Sequence, residues 1–351
     1  MTDVAVAGDR TAWRGRLGTE TPARVRAPDF RRALQLGLAA IWLLDGVLQY
    51  QGAMYAKGFT DMLGGFAAGN PGWIAGPITW DANLVQHHLT LLNTVFATIQ
   101  LLLGIGIAFR PTVKAALAAS VAWAVAVWWF GEGLGGVLNG GASPLNGAPG
   151  AVIIYALIAV LLWPADRAAP APFVAARAVG AQAARALWAV LWLSLAYFAL
   201  TPDNRAPQGV NGVIASMESG QPGWLAALMR GAGSLVSGQG LSTSIVIAVA
   251  IALIALGVYL PGPVLRAALL LAIVVSAVIW VFAQALGGIM AGGATDPNSG
   301  PLLVLLALSY WPLRAASPAQ PKAAKAQAAT ADAPATEVPA TAPSAAEGTV
   351  A

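Results

Sequence analysis

The chain contains no cysteine and few charged residues. Charged side chains make up 10% of its 351 residues, whereas a soluble domain carries about 25%. The hydrophobic share is 58%, so the composition is that of a membrane protein with the lipid bilayer as its surroundings. The lack of cysteine excludes disulfides, thiolate metal sites and cysteine nucleophiles.

Several catalytic signatures are also missing. The sequence has no HExxH, no CxxC, no GxSxG and no histidine ladder of a haem protein. Gly131–Gly150 is rich in glycine but lacks the GxxxxGK(S/T) and strand–GxGxxG–helix contexts of nucleotide-binding loops. We therefore predict neither hydrolysis nor a metal site, and leave enzymatic activity open. The net charge of +4 does not indicate nucleic-acid binding, because most basic residues flank hydrophobic segments.

The chain carries one pattern twice. WWFGEGLGGVLNGG at Trp128–Gly141 recurs as WVFAQALGGIMAGG at Trp280–Gly293, and GNPGW at Gly69–Trp73 recurs as GQPGW at Gly220–Trp224. The copies lie about 150 residues apart, which indicates one ancestral unit duplicated in tandem.

Eight apolar segments follow in order, four in each copy, and we predict that each crosses the membrane. The fourth of each copy has roughly 13 to 16 residues, against the about 20 that a crossing requires. We expect that helix to begin inside the preceding glycine- and proline-rich loop, or to sit against locally thinned bilayer, with a re-entrant element as the alternative. The segments are Arg32–Tyr55, Leu84–Phe109, Val113–Leu134, Pro149–Trp163, Ala184–Thr201, Leu241–Leu260, Val264–Met290 and Pro301–Leu313.

The distribution of positive charge predicts the orientation. If both termini are cytoplasmic, only Lys57, Arg205 and Arg230 of the 19 Lys and Arg residues lie outside. Four crossings per copy then make the copies parallel, related by an axis along the membrane normal. The predicted fold is all-α: a polytopic bundle of eight transmembrane helices, built from two parallel four-helix repeats, in the plasma membrane of a bacterium.

The same reasoning divides the chain into five parts. The two ends are polar or of low complexity and cannot bury a core, so we predict that they are disordered. The parts are a basic cytoplasmic arm (1–31), the first repeat (32–164), a cytoplasmic linker (165–183), the second repeat (184–314) and an Ala/Pro-rich cytoplasmic tail (315–351).

Four ionisable residues of the first copy are candidate catalytic groups. Asp45 lies inside the first helix, where a carboxylate is costly and marks a functional site by default, and Gln49 lies one turn away on the same face. His87 and His88 open the second helix and Glu132 ends the third, all at the outer boundary. We predict Asp45 as a buried proton acceptor, and one histidine with Glu132 as an outer proton relay.

Each candidate also has a structural interpretation. Asp45 would simply hydrogen-bond across helices to Gln100, Asn93 or a hydroxyl, the histidines would be wetted interfacial residues, and Glu132 would be a solvated helix end. In the second copy the matching places hold Leu195, the Ser237–Gly240 stretch and Gln284. We therefore infer that the first copy keeps a polar site and the second keeps the packing.

The outer segments supply candidate ligand-binding residues. Trp128 and Trp129 would wall a pocket for a lipophilic ring, together with Trp80, Asp81 and Gln49. The alternative for the tryptophans is an interfacial aromatic belt. Nearby apolar residues recur at helical spacing, which predicts a short amphipathic helix on the outer surface. They are Phe59, Met62, Leu63 and Phe66.

Two stretches resemble the DoxX/DoxD family of four-helix membrane proteins. They are RALQLGLAAIWLLDG at Arg32–Gly46 and Ile99–Gly106 with the following Phe109–Pro111. The resemblance implies a redox-associated subunit or scaffold, with a quinone as possible cofactor and a membrane or peripheral redox protein as possible partner. If the chain is enzymatic, it implies a subunit of a quinone-linked oxidoreductase. Gln100 stands where many members carry Glu. A small-solute or proton-coupled transporter and a non-catalytic assembly factor are the alternatives.

Overall fold

The computed structural model describes residues 29–166 and 170–313. Within these ranges the chain is helical, with no β-strand and one isolated bridge between Phe173 and Pro312. Most of the predicted N-terminal arm and the whole C-terminal tail lie outside the described residues, so the expectations for them stay predictions.

The described residues form six α-helices in the first half of the chain and eight in the second half. In the first half they are α1 (Phe30–Gln49), α2 (Lys57–Gly65), α3 (Gly72–His87), α4 (Leu89–Ala108), α5 (Val113–Phe130) and α6 (Ala151–Leu161). In the second half they are α7 (Val174–Val179), α8 (Ala181–Ala199), α9 (Pro202–Arg205), α10 (Gly209–Glu218), α11 (Gly223–Val236), α12 (Gly240–Gly257), α13 (Gly262–Phe282) and α14 (Ser299–Ser309). Short 3-10 segments are Gly52–Tyr55, Arg110–Thr112, Gly133–Gly136, Pro144–Asn146 and Ala285–Ala291.

Each of the eight predicted apolar segments overlaps mainly one α-helix, namely α1, α4, α5, α6, α8, α12, α13 and α14. The second predicted segment, Leu84–Phe109, begins too early, because its first residues end α3 and α4 begins only at Leu89. In the described part of the chain, four helical stretches are long and apolar enough to cross a membrane: Leu89–Ala108, Arg110–Phe130, Gly240–Gly257 and Gly262–Ala291. The prediction of a polytopic membrane protein therefore has direct support from α4, α5, α12 and α13, while the count of eight crossings stays a prediction.

The two halves pack their helices in the same sequence. α1 packs on α4, α4 on α5 and α5 on α6, just as α8 packs on α12, α12 on α13 and α13 on α14. α14 also contacts α6 and α1, so the halves share one continuous apolar core. The largest fully buried side chains of that core include Trp42, Tyr155, Trp188, Trp192 and Tyr310.

Side chains from the start of α1 close one end of the bundle, which we call the arginine end. Arg31 pairs with Asp166, and Arg32 donates to the backbone oxygen of Ile107 at 2.8 Å. Gln35 Nε2 donates to the oxygen of Leu162 at 2.9 Å. These donors satisfy carbonyl groups that the last turns of α4 and α6 leave without helical partners.

The later part of the predicted linker, residues 170–183, contributes to the core at this end. Phe173 and Val174 are fully buried, and Leu313 N–H donates to the oxygen of Pro172 at 2.9 Å. The Phe173 ring lies 5.0 Å from that of Tyr310. The segment is thus packed between the halves, which its Ala/Pro-rich composition does not reveal.

The opposite end of the bundle, which we call the loop end, is formed by the loops that precede α6 and α14. α6 and α14 have 11 residues each, or about 16 Å at 1.5 Å per residue, half of the hydrocarbon thickness. α6 begins only at Ala151, after its loop and not within it. Gly131–Gly150 and the segment from Ala283 to Asn298 therefore occupy the space that longer helices would fill.

The two loops fold alike. Trp128 Nε1 donates to the oxygen of Pro149 at 2.6 Å, and Trp280 Nε1 donates to that of Pro297 at 2.7 Å. In the first loop Gly135 has φ +63°, and a Cβ there would overlap the backbone of Pro149. Glycine is required at such a position because it alone combines a positive φ with so close an approach.

Candidate ligand cavity

A cavity of about 610 Å³ lies between the halves at the loop end. Its size is in the range of about 300–1,000 Å³ that is typical of small-molecule sites. Helices α1, α2, α4, α5 and α6 and the loop Gly131–Gly150 supply most of its walls, and the second half adds mainly the segment before α14. The predicted amphipathic helix is present as α2, and its four apolar residues all line the cavity. They are Phe59, Met62, Leu63 and Phe66.

Asp45 is buried in the wall of this cavity, with only 2% of its surface exposed. Its Oδ2 accepts a hydrogen bond of 2.6 Å from the hydroxyl of Tyr155 on α6. Its Oδ1 has no hydrogen-bond partner among residues 29–166 and 170–313. The Tyr155 ring is held by Trp42, with 4.3 Å between ring centroids. The interhelical partner of Asp45 is therefore a hydroxyl, one of the alternatives that the sequence left open.

Amide side chains of α1 and α4 flank this pair. Gln49 Nε2 donates to Asn93 Oδ1 at 2.5 Å, and Asn93 Nδ2 donates back to the oxygen of Gln49 at 2.9 Å. Gln100 also lines the cavity, and its Oε1 is buried without a partner in the described part of the chain. Gln49 is thus occupied by Asn93, whereas Gln100 Oε1 is buried and unpaired among the described residues.

Glu132 begins the first loop and turns back toward α6. Its Oε1 accepts the N–H of Val152, in the first helical turn, at 3.2 Å, while Oε2 has no partner in the described ranges. Burial and, to a smaller extent, the charge of Asp296 raise the pKa of Glu132 to about 8, against the lowering effect of the hydrogen bond from the Val152 amide. Gly150 permits this arrangement, because a Cβ there would overlap Oε2 and lie 2.7 Å from the Trp128 ring. Glu132 is therefore not a freely solvated helix end.

The second half contributes a carboxyl group that the sequence did not reveal. Asp296 lines the cavity, accepts the N–H of Asn298 at 2.6 Å and accepts the hydroxyl of Thr295 at 2.9 Å. Burial raises its pKa. Asp296 stands directly before Pro297, and the corresponding residue of the first copy, before Pro149, is Ala148. A comparison that starts from the charged residues of the first copy therefore does not find Asp296. The polar side chains around Pro297 were the one available signal.

The other predicted site residues divide into two groups. Asp81 of α3 lines the cavity, and burial raises its pKa. His87 and His88 are exposed where α3 meets α4, and His87 Nδ1 bonds with the oxygen of Asn83 at 2.7 Å. Trp80 is exposed over 61% of its surface. None of these last three is among the described residues that line the cavity.

The two adjacent tryptophans are not lining residues either. Trp128 is held by its hydrogen bond to Pro149, and Trp129 packs edge-to-face on Trp73 with 6.0 Å between ring centroids. Trp42 and Trp123 line the cavity instead. The structure thus brings together Asp45, Gln49, Asp81 and Glu132, and it leaves both histidines and three predicted tryptophans outside.

The described residues contain no group of three or more His, Asp or Glu placed to hold a metal ion. No family model, curated protein or solved structure matches this chain. A functional interpretation therefore rests on the cavity itself.

Proposed function

We propose that this is an integral membrane protein that binds a lipophilic small molecule in the cavity at its loop end. The observation that carries the proposal is the buried Asp45–Tyr155 pair, which leaves Asp45 Oδ1 without a partner among the described residues, on the wall of a cavity that aromatic side chains also line. A buried carboxylate is costly, so it is retained where it serves a ligand or a proton.

The proposed topology is eight crossings in two parallel repeats, with both termini cytoplasmic and the loop end facing outward. The matched packing order of the halves, the paired short helices α6 and α14, and the matched Trp–Pro hydrogen bonds support it. Asp45 lies 15 residues after Phe30 in a continuous helix, so it stands about 22 Å along α1, near the outer side.

The resemblance to the DoxX/DoxD proteins supplies a redox-associated subunit as the specific role, with a quinone as the candidate ligand and a bacterial plasma membrane as the location. In that role Asp45 would accept a proton, and Glu132 would exchange it with the outer surface. The second group of this outer relay would be Asp296, whose charge acts on Glu132, and not one of the exposed histidines.

Binding of a quinone analogue tests the proposal. Purified protein in lipid nanodiscs is titrated with a short-chain ubiquinone analogue, and quenching of tryptophan fluorescence reports occupancy. We expect Asp45→Asn to weaken binding or change its pH dependence, and Asp203→Asn, an exposed carboxylate on α9, to leave binding unchanged. Equal binding by the wild type and Asp45→Asn would contradict the assigned role of Asp45.

A small-solute or proton-coupled transporter is the second candidate, and Asp296 is the observation that favours it. In transporters built from repeats, the site lies at the repeat interface with polar residues from both halves, and this cavity combines Asp45 and Glu132 with Asp296. Electrogenic solute flux in proteoliposomes, lost in both Asp45→Asn and Asp296→Asn, would establish transport. A role as assembly factor would be supported if none of the three carboxyl groups affected binding or flux.

A further inference from the structure

We propose that the ligand of this cavity is a lipophilic amine, bound in its protonated form with the ammonium group between Asp45 and Glu132. The inference rests on the proposed function, that the cavity binds a lipophilic molecule, and it assigns an amine in place of the quinone that the DoxX/DoxD resemblance suggests.

The unused hydrogen-bonding groups of the cavity are mainly acceptors. Asp45 Oδ1, Glu132 Oε2 and Gln100 Oε1 have no partner in the described part of the chain, and the corresponding unused donor is Trp123 Nε1. Buried polar groups in native proteins are generally paired, so a ligand should supply what is missing. An ammonium group has up to three N–H donors and no acceptor, whereas a quinone offers only acceptors.

The charges around the cavity point the same way. Asp81 and Asp296 line it together with Asp45 and Glu132, and no Lys, Arg or His occurs among its described lining residues. An anionic ligand would meet like charge in a site of low polarity. Glu132, whose pKa of about 8 keeps it mostly protonated without a ligand, would ionise beside a bound cation, and the cation would offset the cost of keeping the carboxylates out of water.

The remaining walls suit the apolar part of such an amine. Phe59 of α2, Phe96 of α4 and Phe130 of α5 line the cavity, as do Trp42 and Trp123. Aromatic faces bind aryl and alkyl groups through apolar contact and attract an ammonium group through their quadrupole, worth about 0.5–2 kcal/mol per contact. One ligand with a charged head and an aromatic body would therefore use both kinds of wall.

A matched set of probes tests the charge requirement. Naphthylethylamine, naphthylethanol and naphthylacetate share a ring and differ in the polar group, and isothermal titration calorimetry measures their binding. The full-length protein is used in zwitterionic nanodiscs, with empty nanodiscs subtracted. We expect the amine to bind at least tenfold more tightly than the alcohol, and the carboxylate to bind most weakly.

Variants then locate the ammonium group. Asp45→Asn and Glu132→Gln should each reduce the preference for the amine over the alcohol at least fivefold, while Asp203→Asn keeps it. Glu132→Gln is the safer variant for folding, because the matching residue of the second half is Gln284.

The outcomes separate this inference from the proposed function. If the alcohol binds as tightly as the amine to the wild type, the amine assignment is wrong and a lipophilic site remains. If no naphthyl probe and no quinone analogue binds, both the site and the amine assignment are wrong. Binding that prefers the amine but is unaffected in both variants would place the ammonium group elsewhere and overturn the assignment to Asp45 and Glu132.

Discussion

The hydrogen bond between Tyr155 and Asp45 offers a quantitative test of how the carboxylate is held. Tyr155→Phe removes one hydroxyl and keeps the ring that packs on Trp42. Asp45 then has no hydrogen-bond partner among the described residues, since Oδ1 already lacks one. The substitution therefore isolates the cost of an unpaired buried carboxyl from the cost of lost packing.

Two magnitudes bound the expected effect. Hydrogen bonds to charged groups in proteins contribute about 1.5–3 kcal/mol, whereas interhelical hydrogen bonds inside membranes average about 0.6 kcal/mol with a maximum near 1.7 kcal/mol. Asp45 and Tyr155 are exposed by only 2% and 1%, so the upper part of the membrane range applies. We expect Tyr155→Phe to lower the free energy of unfolding by about 1.5 kcal/mol, or roughly tenfold in the unfolding equilibrium.

A double-mutant cycle completes the test. Asp45→Leu combined with Tyr155→Phe should recover most of that loss, because an apolar pair replaces a buried polar one without leaving a group unsatisfied. The predicted repeat places Leu195 and Leu303 at the corresponding positions of the second half, and both are apolar. Unfolding in mixed detergent micelles, followed by tryptophan fluorescence and circular dichroism, measures all four proteins. Additive losses, or no loss in Tyr155→Phe, would refute the reasoning.

Three further predictions concern the loop end. Because the pKa of Glu132 is about 8 in the folded protein against 4.5 for an unperturbed Glu, the folded state holds a proton that the unfolded state releases in this interval. The unfolding free energy of the wild type should therefore fall relative to Glu132→Gln as pH rises from 4.5 to 8, measured by denaturation at several pH values. Gly150→Ala should lower the free energy of unfolding by about 1–3 kcal/mol, because the new Cβ would overlap Glu132. Gly212→Ala lies in a helix with open space around it and should be neutral or stabilising. Trp128→Phe and Trp280→Phe should each cost about 1 kcal/mol in unfolding experiments, because each removes the donor to a proline carbonyl.

For each of these three predictions, one result would contradict it. A constant difference between Glu132→Gln and the wild type across the pH range would mean that Glu132 ionises normally. Equal stabilities of the two alanine variants would show that the loop relaxes around Gly150. Unequal costs of the two tryptophan substitutions would argue against equivalent roles of the two loops.

The sequence was sufficient to locate the eight apolar helices of the bundle, but not α3, α10 and α11. A run of apolar residues can satisfy its backbone in lipid only as a helix, so composition alone placed α1, α4, α5 and α6 and their counterparts. Asp45 and Glu132 could also be selected, because a carboxylate in or beside such a run is costly wherever the helix faces.

Only the tertiary structure decided which side chains meet. Tyr155 lies 110 positions after Asp45 in the chain, and Asp296 comes from the other half. Neither could be found from local pattern, because successive residues of a helix point about 100° apart and small rotations select different neighbours. The same rotations leave His87 and His88 on the surface, although the sequence places them at the right depth. Long-range packing, which no local pattern encodes, thus determined the composition of the cavity.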